Sequence, residues 1–260
     1  MSVSEVHAFN TADWALDNSF MVQLQDPGEP YTATCPFYLL DHPEGIVVVD
    51  TGVSHDLLND PANYGRWGAE FMEAFLPGIE WDESMHPSRH LEAAGYSPDE
   101  VDTVVMTHLH SDHAGHIDTF PDAEFIVQLR ELRYAWWPIP AQGWFYLDGD
   151  FGVLRSDDYD VSVIEGEYDV FGDGSIVTVP TPGHTPGHQS VVVDTGDETV
   201  ILGGDVAHQQ VGFQQELVAS FNWNTQESID SIRKIKALAK KKDAPVRLVH
   251  DRDDFDALSG

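Results

Sequence analysis

The chain has 260 residues, with 45 acidic side chains against 13 Lys plus Arg and a formal net charge of −32 at pH 7. Its length and 42% hydrophobic content suit an α/β domain, a class that runs to roughly 250 residues, and exclude disordered and fibrous proteins. The charge repels phosphate backbones and excludes nucleic acid as a partner, and the single Cys35 excludes an intrachain disulfide or a cysteine-rich zinc module.

Residues 1–20 have neither the basic start nor the apolar run of a signal peptide. No later segment approaches the roughly 18 apolar residues of a membrane helix, so the expected address is the cytoplasm, with no membrane partner. Residues 37–40 and 46–49 read as apolar strands joined by an Asp-His-Pro-Glu-Gly turn, the second leaving through Asp50-Thr51-Gly52. Residues 88–94 read as a helix with Pro87 in its first turn and Gly95 as its stop, and Ser97-Pro98 opens a short helical turn. A strand at 103–107 runs straight into His108-Leu109-His110-Ser111-Asp112-His113.

A strand at 124–128 and a helix at 129–137, ended by Pro138, come next. Residues 138–160, rich in Pro, Gly, Asp and aromatics, are expected as a long loop that serves a site. Short strands follow at 161–164, 175–179, 190–193 and 199–202. Residues 228–241 read as the clearest helix, with Ile229, Ile232, Ile235 and Leu238 on one face. A last strand at 246–249 ends at His250-Asp251. One α/β domain spanning 1–260 is the expected organisation.

The segment from His108 to His113 puts three imidazoles and a carboxylate at a strand end. Alternate strand residues point the same way, so His108 and His110 can converge on one metal. The turn that follows lets Asp112 and His113 face a second. Imidazole and carboxylate suit zinc and other borderline divalent metals. The turn Thr181-Pro182-Gly183-His184-Thr185-Pro186-Gly187-His188 presents two more histidines, while Gly203-Gly204-Asp205 and His250 each follow an apolar strand.

In these motifs the chain resembles the metallo-β-lactamase superfamily of metal-dependent hydrolases, over nearly its whole length. The resemblance implies an α/β fold, a four-layered αβ/βα sandwich with the site at one edge of the sheets. It implies that His108, His110 and His188 bind a first metal, that Asp112, His113 and His250 bind a second, and that Asp205 bridges. Asp50 would support the histidine motif from behind. Two Zn2+ ions are expected, with iron, manganese or cobalt as alternatives. Within the superfamily the layout is most similar to the N-acyl homoserine lactonases, on Gly95-Tyr96-Ser97-Pro98-Asp99, His184-Thr185-Pro186-Gly187-His188-Gln189-Ser190 and Val249-His250-Asp251.

The expected activity is therefore hydrolytic opening of an acyl homoserine lactone by a hydroxide shared between the metals. Asp112 would move the proton to the leaving oxygen. Where well-known lactonases carry a substrate-contacting tyrosine, this chain has His208, expected to donate to the same oxygen. A glyoxalase II-like thioesterase is the leading alternative, and a mononuclear-iron sulfur dioxygenase a more distant one. The partner in either hydrolytic case is a small acyl substrate. Trp136, Trp137, Trp144, Phe145 and Tyr146 could wall an acyl-chain pocket, although ordinary packing is the commoner use of each. His7, His42, His55, His86 and His90 read as surface or turn histidines, and His116 as solvent-facing or as a support to the metal site. Finally, the acids are spread along the chain and lysines number only five. Such a surface is expected of a protein adapted to high salt, which screens repulsion between carboxylates.

Overall fold

The computed structural model describes residues 1–65, 74 and 78–259. The strands are β1 (Glu5–Asp17), β2 (Pro30–His42), β3 (Gly45–Val49), β4 (Ile79–Glu80), β5 (Val101–Val105), β6 (Glu124–Gln128), β7 (Asp160–Ile164), β8 (Tyr168–Asp169), β9 (Ile176–Pro180), β10 (Gln189–Asp194), β11 (Thr199–Gly204) and β12 (Val246–Leu248). They form two sheets among the described residues. The first has the order β4-β1-β2-β3-β5-β6-β7 and the second β12-β11-β10-β9-β8. Strands β3, β5, β6 and β7 run parallel, whereas β1, β2 and β3 pair antiparallel.

The alternation of strand side chains sorts the core into layers. Val47 and Val49 of β3, Val105 of β5 and Ile126 of β6 meet Val191 and Val193 of β10 and Leu202 of β11 between the sheets. Their neighbours Val48, Val104, Phe125 and Val127 face the other way, against Leu91 and Ala135 of the helices Pro87–Ala94 and Leu129–Trp136. On the far side of the second sheet, Val179, Val192 and Ile201 pack on Ile232 and Ile235 of the helix Thr225–Lys242. Helix, sheet, sheet and helix follow one another, as the resemblance implies. The long helix begins at Thr225, ahead of its expected start, because Asn224 caps the amides of Gln226 and Glu227.

One strand appears where none was expected, and two expectations change. β1 is the partner of nearly all of β2, yet its pattern is broken by a register shift between Asn10 and Asp13. A bulge of this kind interrupts the two-residue period that would reveal a strand. The segment 138–160 is not one open loop: it holds the helix Asp148–Phe151 and the 3-10 turn Gly152–Arg155. The strand expected at 103–107 spans Val101–Val105, because Thr107 turns its amide to Asp50 Oδ1 at 2.7 Å.

Candidate active site

The motif segment follows β5, the two-histidine turn joins β9 to β10, Asp205 follows β11 and His250 follows β12. The ends of both sheets thus supply one cluster. Asp50, just after β3, lies in the left-handed region at φ 59°, and Gly52 must be glycine: at φ 73° a Cβ there would come within 2.3 Å of Thr11 Oγ1. This sharp exit carries the Asp50 carboxylate under the motif. It accepts from the Thr107 hydroxyl at 2.7 Å and from His113 Nδ1 at 2.8 Å. His108 Nδ1 lies 3.1 Å from the same hydroxyl. With Nδ1 tied back, His113 turns Nε2 inward. His250 is oriented in the same manner, its Nδ1 donating to Thr34 O at 2.7 Å.

Asp205 stands between two groups of donors. Its Oδ1 is 3.5 Å from His113 Nε2 and 3.4 Å from His250 Nε2. Its Oδ2 is 3.2 Å from His184 Nε2, 3.2 Å from His208 Nε2 and 3.9 Å from His108 Nε2. Asp112 Oδ2 completes one side, 3.5 Å from His250 Nε2 and 3.8 Å from His113 Nε2. Among the described residues four sets of three ligand atoms lie within 4.8 Å of one another: His108, His110 and His184; Asp112, His113 and His250; and, through Asp205 between them, His108, His113 and Asp205 and His184, Asp205 and His208.

One expected ligand is corrected by this geometry. His188 does not point into the cluster. Its Nε2 accepts the Asp205 amide at 2.8 Å, and its Nδ1 lies 2.8 Å from Thr181 Oγ1. Both ring nitrogens are consumed in holding β11 and the Thr181 turn together. His184, the first histidine of the same turn, occupies the donor position instead.

The sequence reading also missed Glu131. This carboxylate is buried in the first turn of Leu129–Trp136 and accepts four hydrogen bonds. Oε1 takes Leu109 N at 3.0 Å and Tyr146 OH at 2.9 Å, and Oε2 takes Thr185 Oγ1 at 2.6 Å and Gly187 N at 3.1 Å. Burial raises its pKa, while these four donors pull the other way. Gly187 allows the turn to lie on the helix, since a Cβ would come within 2.1 Å of Glu131 N.

Against known proteins, the metallo-beta-lactamase superfamily matches residues 32–242 of this chain. The chain belongs to that superfamily. It is 34% identical to the N-acyl homoserine lactonase AttM of Rhizobium radiobacter, over 88% of this chain and 86% of that protein. It is 27% identical to an N-acyl homoserine lactonase of Bacillus thuringiensis, over 96% and 94%. Among solved structures it is similar to an N-acyl homoserine lactone hydrolase with the product N-hexanoyl-L-homoserine bound at its catalytic metal centre. That match has a TM-score of 0.82 at 26% identity, covering 99% of this chain and 97% of that one.

The metallo-beta-lactamase cluster passes a chemical test for metal. Among the described residues, His108 Nε2, His110 Nε2, His113 Nε2 and Asp205 Oδ1 are buried without a hydrogen-bond partner. Burying such atoms unpaired is costly, and a divalent cation would satisfy all of them. Burial holds the pKa values of His108, His110 and His184 well below the usual imidazole range, so they present the neutral form that metals bind. Burial pulls His113 and His250 down as well, but Asp205 and Asp112 outweigh it and hold both above the ordinary value. For Asp205, burial raises the pKa, but the surrounding histidines, His250 and His208 first, outweigh it and hold the carboxyl well below its usual range.

A pocket opens onto the cluster, with Asp112, Asp205, His208 and His250 at its floor and Trp14, Leu16, Phe20, Met21, Phe145 and Phe221 among its walls. Of the expected aromatic wall, only Phe145 lines it. Trp137 is exposed, Trp136 packs in the core under Arg155, and Tyr146 is bonded to Glu131. The other walls come from β1, the turn after it and the segment ahead of the long helix.

Outer support should be felt by the metals. Asp50→Ala is expected to lower metal affinity about 10–100-fold, the usual cost of losing a partner that orients a ligand. Metal content after dialysis against a graded chelator series would check it; wild-type retention would refute the role.

Proposed function

We propose that the site holds two divalent metal ions and opens the lactone ring of N-acyl homoserine lactones. His108, His110 and His184 would hold one ion and Asp112, His113 and His250 the other, with the Asp205 carboxylate placed between the two sets. Zinc is favoured by a donor set of imidazole and carboxylate. Bound there, the ions supply water activation and polarisation of the scissile carbonyl.

The chain's own groups do the rest. Asp112 keeps 13% of its side chain exposed and borders the pocket, placed to carry a proton to the departing ring oxygen. His208 borders the same pocket; its Nε2 lies 3.2 Å from Asp205 Oδ2, and its Nδ1 has no hydrogen-bond partner among the described residues. An N–H from it would stabilise the oxygen on which charge develops.

The observation that carries this reading is the polarity of the pocket: metal-binding groups at the floor and apolar side chains on the walls. A polar lactone head with an acyl tail has that polarity. Similarity to lactonases over most of the chain supports the same class. In a pH-stat, a medium-chain acyl homoserine lactone should release acid, with turnover abolished by a chelator and restored by zinc. A folded, metal-loaded enzyme that ignores the lactone but cleaves a glutathione thioester would overturn the substrate assignment.

The same proposal takes residues 1–260 as one domain, although 66–73, 75–77 and 260 lie outside the described residues. It places the enzyme in the cytoplasm of a cell that keeps high internal salt. No helix among the described residues is long and apolar enough to cross a membrane, and the net charge of −32 supports the absence of a nucleic-acid partner. Thermal unfolding should then occur at a higher temperature in molar KCl than in about 0.1 M, because salt screens the carboxylates. An unchanged or falling midpoint would remove the salt adaptation.

A further inference from the structure

Two aromatic walls of the pocket come from segments far apart in the chain. Phe145 belongs to the segment 138–160, and Phe221 to the stretch ahead of the long helix. Their rings stack at 4.9 Å and 29°. The Phe221 ring also stands 5.4 Å from that of His208 and 5.7 Å from that of His184, so this wall reaches down to the floor of the site. Phe20 lies 5.3 Å from the same ring.

One buried polar residue ties the two walls together. Gln142 is 3% exposed. Its backbone carbonyl accepts from Phe145 N at 3.1 Å, and its own amide donates to Ile139 O at 2.9 Å. Its side-chain Nε2 donates to Phe221 O at 3.1 Å, while Oε1 accepts from Tyr134 OH at 3.1 Å. The orientation is forced, because a backbone carbonyl can only accept: Nε2 must face Phe221 O, and Oε1 is left for the hydroxyl. Burying an amide is costly unless its groups are paired. Here the pairing joins the helix Leu129–Trp136, the segment 138–160 and the stretch that carries Phe221.

We propose that Gln142 is a positioning residue that sets acyl-chain preference, by holding Phe145 and Phe221 as one wall of the pocket. The inference rests on the lactonase reading of the site. Gln142 itself does not line the pocket and acts through the two rings. An acyl tail gains from such a wall in proportion to the apolar area it removes from water. A short tail makes little of this contact, and each further methylene adds to it. Loosening the wall therefore weakens binding more as the tail lengthens. The groups at the floor keep their places, so the effect falls on KM and not on kcat.

The test compares butyryl, hexanoyl and decanoyl homoserine lactones on the zinc-loaded enzyme. Gln142→Met keeps the length of the side chain and removes both polar atoms. It should raise KM for the decanoyl substrate about tenfold, as losing the burial of about two methylenes would. The butyryl KM and the kcat values should stay within about twofold of wild type. Phe221→Ala should show the same dependence on tail length, and the double variant should lose no more than the larger single loss, because both changes act on one wall. Tyr134→Phe keeps the ring and loses only the hydroxyl. It should shift the decanoyl-to-butyryl ratio in the same direction, and it carries the test if Gln142→Met does not fold. Equal KM changes for all three tails, or additive losses in the double variant, would overturn the proposal and leave the lactonase reading intact. If wild type cleaves none of the lactones, that reading falls, and calorimetric binding of decanoate and butyrate decides this one. Gln142→Met must then weaken decanoate about tenfold and spare butyrate; the same change for both acids, or none, would overturn it.

Discussion

Glu131→Ala is expected to destabilise the protein by on the order of 4 kcal/mol, since each buried donor left unpaired costs ~1–3 kcal/mol and the set relaxes in part. The residue is 1% exposed and accepts from Leu109 N, Tyr146 OH, Thr185 Oγ1 and Gly187 N. Those donors belong to three different segments: the motif, the segment 138–160 and the turn 181–188. Among the described residues, Glu131 is the side-chain acceptor for all four. In a chain of this size the thermal midpoint should fall by roughly 10 °C, and the positions of His110 and His184 should loosen together. Activity is expected to fall about 10–100-fold at temperatures where the variant remains folded, as for loss of an outer support. Glu131→Gln tests the charge. It keeps Oε1, but its amide group would face the Gly187 N–H, and two donors cannot pair. A glutamine variant as stable as wild type would show that the carboxylate is not what holds these segments.

The second large effect separates two histidines four residues apart. His184→Ala should reduce bound metal and lower turnover by at least roughly 100-fold, more than the 10–100-fold that an outer partner costs. His188→Ala should keep the metal count, though with weaker affinity, because the Asp205 amide loses its acceptor at 2.8 Å. It should also unfold more easily, since a buried amide and the Thr181 hydroxyl lose their partner. Metal analysis beside turnover for the pair decides the matter. The reverse pattern, with metal lost only in the His188 variant, would restore the ligand set that the sequence alone suggested and refute the geometry described above.

That exchange shows where local pattern stops being informative. Both histidines sit in one glycine- and proline-rich turn, and spacing cannot say which ring faces the metals. The answer depends on β11: the Asp205 amide reaches back to His188, and the ring is held there. Glu131 carries no sequence signal either. It lies in the first turn of an ordinary amphipathic helix, and only the arrival of three other segments makes it a hub. The same holds for the pocket, whose Trp14 and Leu16 come from a strand hidden by its bulge. The rings of His55, His86 and His116 meet although His55 and His116 stand 61 positions apart in the numbering.

What the amino-acid order determines by itself is the part written in local chemistry. The apolar runs that become β2, β3, β5, β6, β9, β10 and β11, the capped helices and the six-residue histidine motif are readable because alternation, helix stops and ligand spacing act over a few residues. From these follow the superfamily and the four layers. The tertiary structure decided which turn histidine joins the cluster, what holds the loops together and what walls the pocket. Those outcomes rest on burial and on hydrogen bonds between distant segments, and neither exists until the two sheets have closed on each other.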